Sequence, residues 1–376
     1  MAEPLKNRFG ADVPRSIADM ITAVYPGFKS AAFARDVLAG YDALELMPRG
    51  KKIAQALRRH LPADYEHALA ILLDSLDQPL GRDPSQTLGS FLYLPHTMFV
   101  AEFGLAHFAA SMRAQHALTQ RFTAEFSIRP FLEQHPDATL RQLKAWASDP
   151  SPHVRRLVSE GTRPRLPWAP RLRQFQADPT PVLALLEMLK DDPELYVRRS
   201  VANNLNDIGK DHPDVLTATS QAWLKNATAQ RAWIVAHALR SAIKKGDGGA
   251  LKLLGFGKAA QVAVGAMRIT PTTAVIGGTV SIAFELTNPH TRSQNLLVDL
   301  TVHYVKANGH AKPKVFKLKT LELAPGQTVR FAKKLSLAQM TTRTHYPGQH
   351  KVEVMLNGHV QVLGAFELVT RPDGPF

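Results

Sequence analysis

The sequence predicts two domains of different fold class, a stack of α-helical repeats followed by an all-β sandwich. Three observations predict this division. Apolar residues recur at three- and four-residue spacing up to about residue 260, one segment recurs after 43 residues, and the remaining chain alternates apolar and polar side chains. A chain of 376 residues also exceeds the length that one hydrophobic core usually supports. We expect a helical domain over residues 1–258 and a β-domain over residues 259–376.

The helical pattern is clear in runs such as Leu183, Leu186 and Leu189, which would share one helix face. Prolines fall between such runs, as expected for short helices joined by tight turns. The internal repeat consists of Asp149-Pro150 with Val154-Arg155-Arg156, followed by Asp192-Pro193 with Val197-Arg198-Arg199. Its period is typical of HEAT-type helical repeats, in which the valine would face the core and the arginines the solvent.

Beyond about residue 260 the spacing of apolar residues changes to two, and β-branched residues become frequent. The pattern predicts strands over residues 280–286, 296–305, 315–321, 328–335, 351–356 and 360–369. Asn357-Gly358, between the last two, is a strong signal for a two-residue hairpin turn. About seven short strands in roughly 110 residues indicate an immunoglobulin-like β-sandwich.

The chain is strongly basic, with a formal net charge of +14 and a pI near 10.0. Lysine and arginine gain affinity for nucleic acids by displacing phosphate counterions, so a polyanion is the first partner to consider. Residues 261–376 hold 13 Lys and Arg against 6 Asp and Glu, which makes the β-domain the denser cation. We expect it to contact nucleic acid; the alternative is a basic surface kept for solubility.

Composition also excludes several kinds of site. The chain has no cysteine, so disulfides, zinc ribbons, iron–sulfur clusters and thiol nucleophiles are absent. Its 15 histidines show no compact metal-ligand spacing, and we expect neither a metal nor a cofactor. No run approaches the roughly 18 apolar residues of a spanning helix, and the first residues lack a signal-peptide pattern. We therefore expect a cytoplasmic protein without membrane attachment.

The densest positive region of the helical part covers residues 141–173. Its cations are mostly arginines, which favours bidentate phosphate contacts: Arg141, Lys144, Arg155, Arg156, Arg163, Arg165, Arg171 and Arg173. The arginine pairs of the two repeat copies occupy equivalent positions, so stacked repeats would align them as a ladder along a phosphate backbone. The alternative is that they form salt bridges to neighbouring repeats.

Trp168 follows two prolines inside this basic region, in a segment where a helix is expected to end. An indole held in a restrained loop beside arginines can pack on a sugar or base face. The alternative is that Trp168 is an anchor in the core between repeats.

Three motifs carry a family resemblance: FTAEFSIRPFL at residues 122–132, VRRLVSEGTRPRLPW at residues 154–168 and VRRSVANNLND at residues 197–207. The sequence resembles the AlkC branch of bacterial alkylpurine DNA glycosylases, some of which carry a C-terminal immunoglobulin-like domain. The resemblance implies removal of cationic alkylated bases, chiefly 3-methyladenine, from duplex DNA without full flipping of the base. We therefore expect association with the bacterial nucleoid through double-stranded DNA. A repeat protein with a basic concave face works as a monomer, so we also expect a monomer.

Such chemistry needs little acid catalysis, because alkylation already charges the base, which then leaves as a neutral group. Positive charge develops on the deoxyribose instead, where a carboxylate would stabilise it and orient the attacking water. The candidate catalytic residues are Glu125, Glu160, Asp207 and Trp168. As alternatives, Glu125 would form a helix-surface pair with Arg129 four residues on, and Asp207 would only end a helix before Gly209.

The basic side chains of these motifs are expected to bind DNA: Arg129, Arg155, Arg156, Arg163, Arg165, Arg198 and Arg199. Two other functions remain open at this stage. A non-catalytic sensor of DNA damage or DNA structure would use the same basic face and need no carboxylate. A protein-binding scaffold is a third possibility, since HEAT-type repeats often bind proteins.

Overall fold

A computed structural model describes residues 5–76, 88–257, 259–340 and 343–370. The chain divides into two compact units, one formed by Ala2–Leu216 with Trp223–Ala238 and the other by Thr217–Ala222 with Leu239–Phe376. The first unit is helical and the second contains a β-sandwich, which confirms the predicted fold class. Within the described residues, no helix combines the length and apolarity needed to span a bilayer.

Among the described residues, short 3-10 helices lie at Leu5–Arg8 and at Leu88–Tyr93. The first eight α-helices are α1 (Asp12–Val24), α2 (Ser30–Leu38), α3 (Leu46–His60), α4 (Tyr65–Asp74), α5 (Leu94–Phe103), α6 (Phe108–Thr119), α7 (Arg129–Gln134) and α8 (Pro136–Trp146). The next are α9 (Pro152–Gly161), α10 (Arg173–Ala177), α11 (Thr180–Leu189), α12 (Leu195–Ile208), α13 (Pro213–Leu224) and α14 (Ala229–Ala238).

The internal repeat has the same local structure in both copies. Nη1 of Arg155 donates to the carbonyl oxygen of Asp149 (2.8 Å) and to that of the following proline (3.1 Å). Nη1 of Arg198 binds the carbonyl of Asp192 and that of its proline, at 2.7 Å each. The valine before each arginine pair is fully buried, as predicted. The repeat therefore encodes a turn held by its own arginine, with a helix start just beyond it.

Helices α6, α9, α12 and α14 pack against one another in that order, so residues on them that are far apart in sequence become neighbours. Helix α9 buries Val154, Leu157 and Val158, and α12 buries Val197, Val201 and Leu205 in the same manner. Such apolar stripes provide most of the stability of short helices, because isolated helices of this length are marginal in water.

The β-sandwich consists of two sheets. Its strands are β1 (Ala263–Thr270), β2 (Thr273–Val275), β3 (Thr279–Thr287), β4 (Gln294–Val305), β5 (Ala311–Leu323), β6 (Thr328–Ser336), β7 (Gly348–Leu356) and β8 (His359–Val369). One sheet has the order β1-β3-β6 and the other β2-β8-β7-β4-β5. Neighbouring strands are antiparallel except β2 and β8, which are parallel.

The six predicted strands correspond to β3 through β8, and β1 and β2 were missed. Strand β1 is mostly exposed and its pairing register shifts between Gly265 and Arg268, so the alternation that marks other strands is lost. Strand β2 has three residues, too few for a period to be visible. The predicted hairpin turn is confirmed, since Asn357 (φ 49°) and Gly358 (φ 84°) both have left-handed backbone conformations.

Two further helices, α15 (Arg240–Lys244) and α16 (Gly248–Leu253), belong to the same compact unit as the sandwich. A Cβ atom on Gly358 would lie 2.5 Å from Cδ1 of Leu251, so α16 packs closely on the hairpin between β7 and β8. This compact unit therefore begins before residue 259. The last helix ends at Leu253 and the first strand begins at Ala263. A domain boundary between residues 258 and 259 remains a prediction.

Asp299 is a buried acid in β4, only 3% exposed, and its Oδ1 has no hydrogen-bond partner among the described residues. Burial raises its pKa to about 6, against the opposing effect of Lys317 and Lys244. The folded state therefore holds this proton more tightly than the unfolded chain does. The associated stability is present below pH 3.8 and is lost as the pH rises through about 6.

We expect Asp299→Asn to stabilise the β-sandwich at pH 8, by about 3 kcal/mol at most, because the amide cannot ionise in its buried position. The gain should be small at pH 4, where the wild-type carboxyl is protonated in the folded state. Thermal unfolding of both proteins at the two pH values measures the effect. Equal gains at pH 4 and pH 8 would contradict this account of Asp299.

Candidate active site

Three acidic side chains lie close together, two of them at the C-terminal ends of packed helices and the third in a turn between helices. Glu160 is the penultimate residue of α9, Asp207 is the penultimate residue of α12, and Glu125 lies in the turn region that follows α6. A helix C-terminus carries a partial negative charge, so an acid there is unfavourable unless a cation compensates it. The acids at these helix ends therefore need cationic partners.

Two arginines join these acids into one chain. Nη1 of Arg156 lies 3.0 Å from Oε2 of Glu125, and its Nη2 lies 3.7 Å from Oε1 of Glu160. Nη1 of Arg163 lies 2.6 Å from the same Glu160 oxygen, and its Nε lies 2.8 Å from Oδ2 of Asp207. We call Glu125, Arg156, Glu160, Arg163 and Asp207 the carboxylate–arginine chain. The structure thus brings together all three acids predicted from the sequence.

The members of the carboxylate–arginine chain differ in their exposure to solvent. The Glu125 side chain is 12% exposed and that of Arg156 is 18% exposed, whereas Asp207 is 1% exposed. Burial by itself would raise the pKa of Glu160, but Arg156 and Arg163 hold that pKa below its usual value. Glu160 is therefore ionised at neutral pH. Glu125 is the acid most accessible to a bound molecule, and Asp207 the least.

Neighbouring polar side chains form further hydrogen bonds with the carboxylate–arginine chain. These residues were not predicted from the sequence. Ser200 Oγ donates to Oε2 of Glu160 (2.6 Å), and Thr123 Oγ1 donates to Oε2 of Glu125 (2.8 Å). Lys210 Nζ donates to Oδ1 of Asp207 (2.7 Å), and Arg156 lies 4.9 Å from the ring centroid of Tyr196. Ser200 interrupts the apolar stripe of α12, a signal that could have indicated a buried polar contact.

Trp168 lies in the loop between α9 and α10 and is 71% exposed, so the alternative of a core anchor is wrong. Its backbone φ of 67° lies in the left-handed region that favours glycine. A bulky residue adopts this conformation only where its surroundings impose it. The loop begins after Gly161, the residue that follows Glu160, so the exposed indole is joined to the carboxylate–arginine chain through the end of α9.

Arg129 was predicted to bind DNA, but its side chain is inside the helical unit and only 4% exposed. Its guanidinium donates to the carbonyl oxygens of Gly161 (3.0 Å), Arg163 (2.9 Å) and Pro170 (2.6 Å). The alternative helical pair with Glu125 is also wrong. Glu125 lies in a turn before α7 begins and binds Arg156 instead.

The other predicted DNA contacts are largely occupied within the protein. Arg155 forms a two-bond salt bridge to Asp192 of the next repeat (2.6 and 3.1 Å), which is the alternative stated above for the arginine ladder. Arg165 Nε donates to Asp211 (2.8 Å), and this hydrogen bond lowers the pKa of Asp211 to about 2. Arg199 is exposed, and no described residue forms an ion pair with it.

Comparison with known proteins agrees with this architecture. A family model described as the C-terminal Ig-like domain of the uncharacterised protein YhaZ matches residues 263–370. Over 358 residues the chain is 35% identical to YhaZ of Bacillus subtilis strain 168, covering 95% of this chain and 97% of that protein.

A solved structure of the Pseudomonas fluorescens alkylpurine DNA glycosylase AlkC, bound to DNA containing an abasic site analog, is also similar. It is 39% identical, with a TM-score of 0.90, and the match covers 98% of this chain and 100% of that one. The resemblance inferred from the three sequence motifs is thereby confirmed. The chain belongs to the AlkC and YhaZ family, and its helical region is followed by an immunoglobulin-like domain.

Proposed function

We propose that the protein is a DNA glycosylase that excises cationic N3-alkylated bases, chiefly 3-methyladenine, from duplex DNA. The observation that carries this proposal is the carboxylate–arginine chain, which joins the C-terminal ends of α9 and α12 to the turn before α7, with the exposed Trp168 in the adjoining loop. The AlkC relative was solved on DNA with an abasic site analog, which resembles the product of base excision.

The electrostatics of the region suit this reaction. As the C1′–N bond breaks, its electron pair goes to the alkylated base, which leaves neutral, and positive charge develops on the sugar. Glu160, which is ionised and lies at the negative C-terminal end of α9, stabilises that charge together with the neighbouring side chain of Glu125. Water then adds to C1′ and loses a proton, which a carboxylate accepts directly or passes to solvent. The reaction requires no cofactor.

The residues have different roles in this proposal. Glu125, the most accessible acid, contacts the sugar and orients the water. Glu160 adds charge beside it, and Asp207 holds Arg163 in place, since its 1% exposure leaves little surface for DNA. Trp168 packs on a sugar or base face of a lesion that stays in the duplex, because its exposed indole can reach the DNA surface.

Phosphate contacts are assigned to exposed cations. In the helical unit we assign this role to Arg199 on α12 and Arg171 in the Trp168 loop, which are among the exposed cations. In the β-domain, β5 presents Lys312, Lys317 and Lys319 to solvent, which supports a DNA-contacting role for this domain as well. Arg129, Arg155 and Arg198 hold the fold instead, because their guanidinium groups bind backbone carbonyls or Asp192.

Incubation with methylated duplex DNA tests the proposal. We expect release of 3-methyladenine with matching formation of abasic sites, and no release from unmethylated DNA of the same sequence. Affinity should fall by about 10³-fold or more between 50 and 200 mM salt if six or more phosphates are contacted. Salt-sensitive binding without base release would indicate a non-catalytic damage sensor, and salt-independent binding would contradict phosphate contact.

A further inference from the structure

We propose that Arg129 is a positioning residue of the active site, which holds residues 161–170 in the conformation that presents Trp168 to DNA. This inference rests on the proposed glycosylase function. Three observations support it: the three backbone hydrogen bonds of Arg129, the burial of its guanidinium and the backbone conformation of Trp168.

The three acceptors of Arg129 lie at both ends of the loop. Gly161 is the last residue of α9, and Nη1 of Arg129 bonds to its carbonyl oxygen and to that of Arg163. Nη2 bonds to the carbonyl of Pro170, just beyond Trp168. One planar guanidinium therefore fixes the distance between the start and the end of the segment. The loop has its own closing bond as well, from the amide of Leu172 to the carbonyl of Pro164 (3.3 Å).

A cation buried in this way is costly to the fold. No described residue provides a carboxylate hydrogen bond to Arg129, its Nε has no partner, and burial lowers its pKa to about 10. An apolar side chain of similar volume would avoid the desolvation cost. The planar guanidinium instead fixes the relative positions of several backbone carbonyls, because its rigid set of donors binds them at once. Lysine, with a flexible point charge, does not reproduce this set of donors.

Trp168 needs such a restraint. Its φ of 67° is unfavourable for a bulky side chain, and the indole is 71% exposed, so few packing contacts hold it in place. A conformation of this kind persists when the surrounding backbone is fixed by other bonds. The three bonds of Arg129 fix the backbone on both sides of Trp168. Without the guanidinium of Arg129, Trp168 would still be present, but its indole would no longer be held in one position.

A double-mutant cycle tests this coupling through single-turnover rates of 3-methyladenine release. We expect Arg129→Lys to lower the rate by about 100-fold, because misplacement of an active-site group by about 1 Å has an effect of this size. In a Trp168→Ala background, Arg129→Lys should cause no further loss. Equal rate losses in both backgrounds, or no loss with Trp168 present, would overturn the proposal.

Arg49 offers a matched control. It is also buried, and its guanidinium donates to the carbonyl oxygens of Lys6, Phe9, Asp42 and Leu44, all in the N-terminal part of the helical unit. Arg49→Lys should lower the unfolding temperature and leave the rate per folded molecule unchanged. If it reduced the rate as much as Arg129→Lys, the effect of Arg129 would be general destabilisation and the proposal would fail.

A second measurement needs no substrate, so it distinguishes failure of this inference from failure of the glycosylase assignment. Trp146 and Trp223 are buried, and a Trp233→Phe background removes the other partly exposed indole, which leaves Trp168 as the main target of acrylamide quenching. We expect Arg129→Lys to change the quenching constant and emission maximum of Trp168. Unchanged fluorescence in a folded variant would contradict the positioning role. Arg129→Gln, which also lacks the guanidinium, serves where the lysine variant does not fold.

Discussion

Replacement of Glu160 by glutamine should reduce base excision by about 10²–10³-fold or more while DNA affinity changes little. The amide has the shape of the carboxylate but no charge to stabilise an electron-poor sugar. It also accepts from only one of the two groups that now donate to Glu160, Ser200 and Arg163, so a moderate loss of stability accompanies the loss of activity. Single-turnover release of 3-methyladenine and fluorescence anisotropy on the same duplex measure rate and affinity separately.

Glu125→Gln should act in the same direction, with less effect on stability because Glu125 is the more exposed acid. Asp36→Asn is the control: Asp36 is a carboxylate of α2 that is held by Arg59 and His60, outside the carboxylate–arginine chain. It should excise bases at the wild-type rate. If Glu160→Gln retained activity within fivefold of wild type, Glu160 would only hold arginines in place and the charge-stabilisation mechanism would lose its main support.

The sequence predicts the fold well where the signal is local. Helix faces such as Leu183, Leu186 and Leu189, and alternating strands such as β3, are repeated patterns that neighbouring residues reinforce. The Asn357-Gly358 turn is predicted for the same reason, because its backbone conformation is a property of two residues. Strands β1 and β2 were missed because an irregular register and a three-residue length remove the pattern.

The candidate site is less predictable, because the contacts between its elements join residues that are 31 to 44 positions apart. Identical Val-Arg-Arg segments do not reveal that Arg155 binds Asp192 of the next repeat or that Arg199 remains exposed. Motif resemblance selects the three acids correctly as neighbours, but the partners of each arginine depend on how α6, α9 and α12 pack. Net charge does not distinguish an arginine that binds phosphate from one that binds carbonyls, which explains the error at Arg129.

For Arg163, the sequence predicts a DNA contact, whereas the structure shows a buried cation between two acids. Arg163→Met would leave Glu160 and Asp207 without their shared partner in a region where Asp207 is 1% exposed. Removing one member of a buried ion pair typically costs about 3–5 kcal/mol. We expect a loss of this size in urea unfolding at pH 8, together with a loss of excision.

The pH dependence should identify the cause of that loss. In the wild type, Arg156 and Arg163 hold the pKa of Glu160 low against the effect of burial, and without Arg163 that pKa rises. The folded variant then binds protons that the unfolded chain does not. The difference in the free energy of unfolding between variant and wild type should therefore become smaller as the pH falls from 8 to 5. Arg165→Met is the comparison, because its pair with Asp211 is more exposed and should contribute about 1 kcal/mol or less. Equal losses for the two methionine variants, independent of pH, would show that Arg163 contributes packing alone and that the carboxylate–arginine chain is not the electrostatic unit proposed.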